Sequence, residues 1–325
     1  MSADVSADPT DQRRRWRTWF QPRLLVGVAL VAALVLVVAV VLAREAGDTV
    51  LSVPEALLLG VIEGITEYLP VSSTGHLTIT QDILGLTETS DSEAAADAYA
   101  VVIQAGAIVA VAVLYRHRIA AVVASVVRPH GDGDSRRLGA ALVVAFVPAG
   151  LVGLLLGDLV KDQLFGLWPT VAAWAIGGGV ILVHDRLSPT HRRPLEDITP
   201  LDGLIIGLAQ VIALWPGVSR SLVTILAAGG RRFSAVAAVE FSFLLGFVTL
   251  GAATVYEAAA SGSLIVEEFG LVAPIAGFAA SLAAAAGAVA WLVRYLERRG
   301  LAAFGWYRLA LAGVVSVLAL TTTAL

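Results

Sequence analysis

Apolar runs of bilayer length, separated by short arginine clusters, recur along the whole of this 325-residue chain. About twenty apolar residues span a hydrocarbon core as one helix. Within that core every backbone polar group must be paired inside the protein, which leaves helices or a closed barrel as spanning forms. Runs at 24–43, 97–114, 138–157, 168–184, 234–256, 270–293 and 303–323 predict seven transmembrane helices. Composition agrees, with 58% hydrophobic and 15% charged residues and a mean hydropathy of +0.82; a soluble domain is about half apolar and roughly a quarter charged. The expected fold class is all-α, a polytopic helical membrane protein. The chain has no cysteine, which excludes disulfides and thiolate metal sites. Its basic residues, arginine except for Lys161, form short clusters between spans with no aromatic–basic face, so no nucleic acid is expected as a partner.

The arginines also set the topology. Residues 1–23 carry Arg13, Arg14, Arg15, Arg17 and Arg23 ahead of the first run. That run is longer than the apolar core of a cleaved signal, so it reads as a retained signal anchor with a cytoplasmic N-terminus. Residues 1–50 are then an Arg-rich tail plus an extra helix, and 51–325 the main membrane domain. Arg116, Arg118, Arg128, Arg136 and Arg137 lie between the second and third spans, and Arg186, Arg192 and Arg193 follow the fourth. Arg231 and Arg232 precede the fifth, and Arg294, Arg298 and Arg299 follow the sixth. Placing every cluster inside requires two segments, 51–86 and 201–230, to enter and leave on the same side, from opposite faces of the membrane. The C-terminus then lies outside.

The two re-entrant segments resemble each other. Gly60 and Glu63 align with Gly207 and Gln210, 147 residues on; with a one-residue gap, Pro70, Ser73, Thr78 and Ile79 align with Pro216, Ser219, Thr224 and Ile225, 146 residues on. An inverted-topology repeat is expected, one copy at about 51–157 and the other at about 201–294, with broken helices meeting near the midplane.

Polar chemistry concentrates in these segments. Glu63 and Glu67, four residues apart, share one face of a helix. Buried together they repel unless a cation or a shared proton intervenes, and a divalent cation already held by phosphates suits them. The other reading points the pair into an aqueous loop. Pro70 ends the half-helix, after which Ser72, Ser73 and Thr74 offer hydroxyls and helix N-terminal amides for an anion. His76, beside two acids, suits acid/base or nucleophilic work. In the second segment Pro216 and Gly217 break the helix, Ser219 and Ser221 add hydroxyls, and Arg220 suits bidentate phosphate binding. A plain Arg–Glu bridge is the alternative for Arg220. Gln104 and Ser242 read as interhelical hydrogen-bonding residues, Asp158, Lys161 and Asp162 as an extracytoplasmic turn, and Tyr307 and Arg308 as interfacial anchors.

The segments EGITEYLPVSSTGHL (63–77) and LWPGVSRS (214–221), with VVIQAGAIVAVAV (101–113), VPAGLVG (147–153) and EFSFLL (240–245), resemble the undecaprenyl pyrophosphate phosphatase family, the bacitracin-resistance type, over roughly residues 51–322. The resemblance implies hydrolysis of undecaprenyl pyrophosphate to the monophosphate, recycling a cell-wall lipid carrier, with a Mg²⁺ or Ca²⁺ requirement. It implies a site on the extracytoplasmic side of a bacterial plasma membrane. The catalytic residues it implies are Glu63, Glu67, Ser73, His76 and Arg220, with Glu63 and Glu67 toward the metal. Phosphate binding falls to Ser72, Thr74, Gly217, Ser219, Arg220 and Ser221. The partners expected are the polyprenyl pyrophosphate lipid and membrane lipids, with a homodimer admitted. The chain departs from the family pattern at Leu222, where a Gly is usual and the added bulk falls beside the phosphate site, and at Val248, where a Pro is usual. A carrier-lipid transporter and a weakly active, lipid-binding paralogue are the competing readings.

Overall fold

A computed structural model describes residues 51–87, 90–127, 132–187 and 193–321, with side-chain surroundings for all of these except 90–95 and 260–268. The expected span at 24–43 lies outside the described residues. Within them the regular structure is helical: α1 (Val53–Thr66), α2 (Ser73–Ile83), α3 (Ser90–Leu114), α4 (Arg116–Val127), α5 (Gly133–Leu164), α6 (Leu167–Leu187), α7 (Pro200–Val211), α8 (Arg220–Gly230), α9 (Ala235–Phe269), α10 (Val272–Leu296) and α11 (Ala302–Thr321). Six of these, α3, α5, α6, α9, α10 and α11, contain segments long and apolar enough to cross a bilayer, and they coincide with the six later runs of the sequence. Val126, Leu154, Leu155 and Leu320 leave about three quarters of their surface uncovered. That much exposed apolar surface suits lipid contact. Asp158, Lys161 and Asp162, expected in a turn, belong instead to the last turns of α5.

The four half-helices α1, α2, α7 and α8 hold 11 to 14 residues, or about 16–21 Å at 1.5 Å per residue. A hydrocarbon core of about 30 Å is too thick for any of them to cross alone. The ends of the second pair are tied together: Arg193 and Arg231, flanking α7 and α8, both grip Asp202 at 2.7 Å. Asp202 also closes a capping box with Thr199. The start of α9 lies on that same side, through Ser234 N–H donating to Arg193 O. At the far end of α9, Phe269 packs in one apolar cluster with Leu51 and Leu86, which bracket α1 and α2. The two broken-helix segments therefore enter the bundle from opposite ends.

Local geometry matches between the segments at a constant separation of 147. Ser52–Glu55 and Thr199–Asp202 form the starting boxes; Gly60 and Gly207 lie on tight packing faces; Ser72 and Ser219 both adopt positive φ (74° and 76°) just before the returning helix. The gap expected from sequence is not needed. Ser72, rather than Ser73, corresponds to Ser219, and Ser73 corresponds to Arg220.

Close approach of backbones holds the half-helices in place. A Cβ on Gly60 would lie 2.2 Å from Gly277 O on α10, and one on Gly207 would lie 2.3 Å from Ala145 O on α5. Small residues permit this packing where water supplies no hydrophobic drive between helices. Gly60→Ala is expected to push α1 off α10, costing about 1–3 kcal/mol or more as overpacking. Thermal melting in detergent should show it as a clear loss of Tm relative to an Ala substitution at the open Gly287 position, which has nothing within 4 Å.

Candidate active site at the meeting of two helix breaks

α1 ends at Thr66, four residues ahead of Pro70 rather than at it; Glu67 keeps α-helical dihedrals and its N–H still reaches Glu63 O at 2.9 Å. The chain then turns through Pro70 to Ser72, where a non-glycine residue in the left-handed region is uncommon and strained. The second break turns at Gly217, with φ of +88°, where a Cβ would meet Thr170 O at 2.7 Å. Here glycine is required twice, by conformation and by space.

The breaks join at one carboxylate. Arg220 Nη2 donates to Glu67 Oε1 at 2.9 Å, and Ser73 Oγ donates to Glu67 Oε2. The ion pair is deeply buried, with 10% and 7% of its side chains exposed. Arg220 Nη1 donates to Ser242 O at 2.9 Å, and the guanidinium lies 5.5 Å above the Tyr68 ring. Gly246 on α9 leaves the space it fills, since a Cβ there would fall 2.4 Å from Nη1. Arg220 Nε has no hydrogen-bond partner among the described residues. Glu63, 2% exposed, lies within reach of Glu67, Arg220 and Ser73 yet makes no salt bridge of its own among the described residues. The buried centre thus holds two carboxylates against one arginine, an electrostatic setting that welcomes one more cation. Its donors are all oxygens, as Mg²⁺ and Ca²⁺ prefer. Among the described residues no group of three His, Cys, Asp or Glu could hold a metal. Two carboxylates is also the usual protein share of a Mg²⁺ site completed by phosphate and water. The residues fit a divalent cation.

Hydroxyls line the second break. Ser221 Oγ donates to Leu69 O at 2.8 Å, Ser219 and Ser221 hydroxyls are 3.0 Å apart, and Ser219 Oγ caps the Leu222 N–H. Ser242 hydrogen-bonds across helices, as expected, to Thr224 at 2.7 Å. Ser72 makes no side-chain cap, so the first N–H groups of α2 stay available to an anion. The Thr74 side chain is exposed, away from this buried cluster. Leu222 is 2% exposed and packs in the main apolar cluster; its bulk is absorbed by the core.

His76 does not bond to either acid. Its Nδ1 lies 2.6 Å from Ser72 O and its Nε2 2.7 Å from the Tyr307 hydroxyl, with Trp174 tilted beside it. Nor is Arg308 an interfacial anchor. It is fully buried and donates to Gly217 O at 2.8 Å, Ala173 O at 2.9 Å and Pro70 O at 3.4 Å. One side chain from α11 thereby ties together both breaks and α6. Gly177 leaves room for it, as a Cβ there would lie 2.4 Å from Nη2. The available sequence signal was an arginine inside an apolar run, since intramembrane charge is functional by default.

The bacitracin resistance protein BacA family matches residues 56–314, a stretch that contains the whole site. An undecaprenyl-diphosphatase of Sorangium cellulosum is 46% identical over 268 residues, covering 80% of this chain and 84% of the relative. A protein of Rhodospirillum rubrum named undecaprenyl-diphosphatase 2 is 42% identical, covering 80% and 93%. An undecaprenyl-diphosphatase of Acidothermus cellulolyticus is 40% identical, covering 82% and 96%. The chain belongs to the bacitracin resistance protein BacA family.

Proposed function

We propose that this chain hydrolyses undecaprenyl pyrophosphate to undecaprenyl phosphate and inorganic phosphate, recycling the lipid carrier of cell-wall synthesis and so giving bacitracin resistance. The observation that carries the reading is the Glu67 carboxylate shared between Arg220 of one break and Ser73 of the other. A transporter for a lipid headgroup has no need of a hydroxyl hydrogen-bonded to a buried carboxylate; a phosphoryl-transfer site does. The bacterial plasma membrane is the expected setting. The end bearing Arg118, Arg193 and Arg231 faces the cytoplasm by the positive-inside rule, and the Glu63–Glu67 segment opens from the other side.

In this reading the pyrophosphate lies across the two breaks. Arg220 turns from Glu67 to the phosphate oxygens with its planar fork, and the free N–H groups at the start of α2 and the Ser219 and Ser221 hydroxyls complete the cradle. Glu67, relieved of Arg220, accepts the proton of the Ser73 hydroxyl or of a water beside it. The attacking oxygen bonds to the terminal phosphorus as that phosphorus's bond to the bridging oxygen breaks, releasing the lipid phosphate; where Ser73 attacks, water then hydrolyses the phosphoserine to free phosphate. Glu63 and Glu67 would hold Mg²⁺ or Ca²⁺, which supplies neutralisation of the charge on the phosphate oxygens.

Phosphate release by the purified protein from undecaprenyl pyrophosphate in detergent tests this. Release that requires Mg²⁺ or Ca²⁺ and stops with chelator is expected. No release under any cation would overturn the hydrolase reading, and full release in chelator would remove the cation from it.

A further inference from the structure

α11 lies outside both proposed repeats, yet its Tyr307–Arg308 pair reaches the site, and Tyr307 makes the more specific contact. The Ser72 carbonyl can only accept a hydrogen bond, so His76 Nδ1, 2.6 Å away, carries the proton of the neutral ring. That leaves Nε2 as a bare acceptor, and the Tyr307 hydroxyl at 2.7 Å donates to it. The two rings are nearly parallel, with an interplanar angle of 6° and centroids 5.8 Å apart, so the hydroxyl meets Nε2 edge-on, close to the imidazole plane. Nδ1 is closed off against a main-chain oxygen. Any proton that His76 gives or takes must therefore cross Nε2, where Tyr307 sits.

We infer that Tyr307 is a positioning residue for the hydrolysis, holding His76 in its Nδ1–H tautomer and relaying protons between Nε2 and the surroundings. This rests on the hydrolase reading above together with the acid/base role that the sequence pattern gives His76. The relay conserves charge on the phenol: as Nε2 takes the Tyr307 hydroxyl proton, the phenolic oxygen takes one from a water or phosphate hydroxyl, and no tyrosinate persists. Tyr307 is 45% exposed, so its oxygen can meet such a donor while it stays hydrogen-bonded to His76.

The tautomer is read directly in ¹⁵N-histidine-labelled protein, with the His76 signals identified by their loss in His76→Gln. The wild type is expected to show Nδ1 protonated and Nε2 bare, whereas a free histidine side chain favours the reverse. Tyr307→Phe keeps the aromatic ring and removes only the hydroxyl. It should shift the ring toward a mixture of tautomers and lower kcat about 10-fold with KM changed less than about 2-fold. Because Tyr307 acts through His76, adding Tyr307→Phe to His76→Ala should slow phosphate release no further. An Nε2–H tautomer in the wild type, wild-type turnover by Tyr307→Phe, or additive losses in the double variant would each overturn the inference while the hydrolase reading stood. If the wild type itself releases no phosphate, the hydrolase reading falls. The nitrogen signals of the wild type then still decide whether Tyr307 holds the tautomer, even if Tyr307→Phe fails to fold.

Discussion

Arg220→Lys is expected to keep the positive charge, stay folded and lose most of its phosphate release. The guanidinium makes two directed contacts at once, Nη2 to Glu67 and Nη1 to Ser242 O, and the fork that makes them is the one that would turn onto phosphate oxygens. A lysine ammonium is a point charge that cannot hold both directions. Losing one charge-assisted hydrogen bond in the transition state is worth about 2–3 kcal/mol, or roughly 30- to 150-fold in rate. Initial rates of phosphate release at saturating lipid, with melting of the same sample, measure this. Near wild-type turnover by the lysine variant would reduce Arg220 to a source of field or a structural tie.

Much of the architecture was legible in the sequence because a bilayer imposes a coarse rule. Apolar runs of fixed length and arginines sorted by side locate spans and force two segments to turn back, and the helices fall where those runs lie. The buried Glu67–Arg220–Ser73 contact was approachable for a related reason: charges at membrane depth are costly and call for partners. What the sequence could not supply was side-chain direction. His76 is one helical turn from Ser73, yet a turn of helix also faces Trp174 and Tyr307, and only packing against α6 and α11 chooses between them. Arg308 was misread because an arginine in the final span looks the same whether it snorkels to an interface or points inward. Two backbone carbonyls at the helix breaks and one on α6 are what draw it inward. The register of the two segments failed on Ser73 and Ser219, where matching letters outweighed matching conformation. The positive φ at Ser72 and Ser219 fixes the correspondence, and no letter in the sequence announces it. Even so, the boxes Ser52–Glu55 and Thr199–Asp202, 147 residues apart, were a readable helix-start signal.

The two glutamates, equivalent in a helical-face argument, should respond oppositely to neutralisation. Glu67 is the salt-bridge partner of a buried arginine and the acceptor of the Ser73 hydroxyl. Glu67→Gln strands that guanidinium, and leaving one member of a buried pair uncompensated costs about 3–5 kcal/mol. Glu63 has no salt bridge to lose among the described residues and sits next to a like charge, so Glu63→Gln removes repulsion and should melt at or above the wild-type temperature. Both variants should lose activity, because either change removes one of two carboxylates that balance a cation and a pyrophosphate. Several kcal/mol of transition-state charge stabilisation is at stake, so turnover should fall about 100-fold or more. The cation dependence of the residual activity should weaken in Glu63→Gln first, since that carboxylate has no arginine competing for it. Melting in detergent and phosphate release against Mg²⁺ concentration, on the same preparations, separate the two roles. A Glu63→Gln protein that melts well below wild type would mean the pair already shares a proton or another stabilising contact, and the two-carboxylate cation site would have to be abandoned.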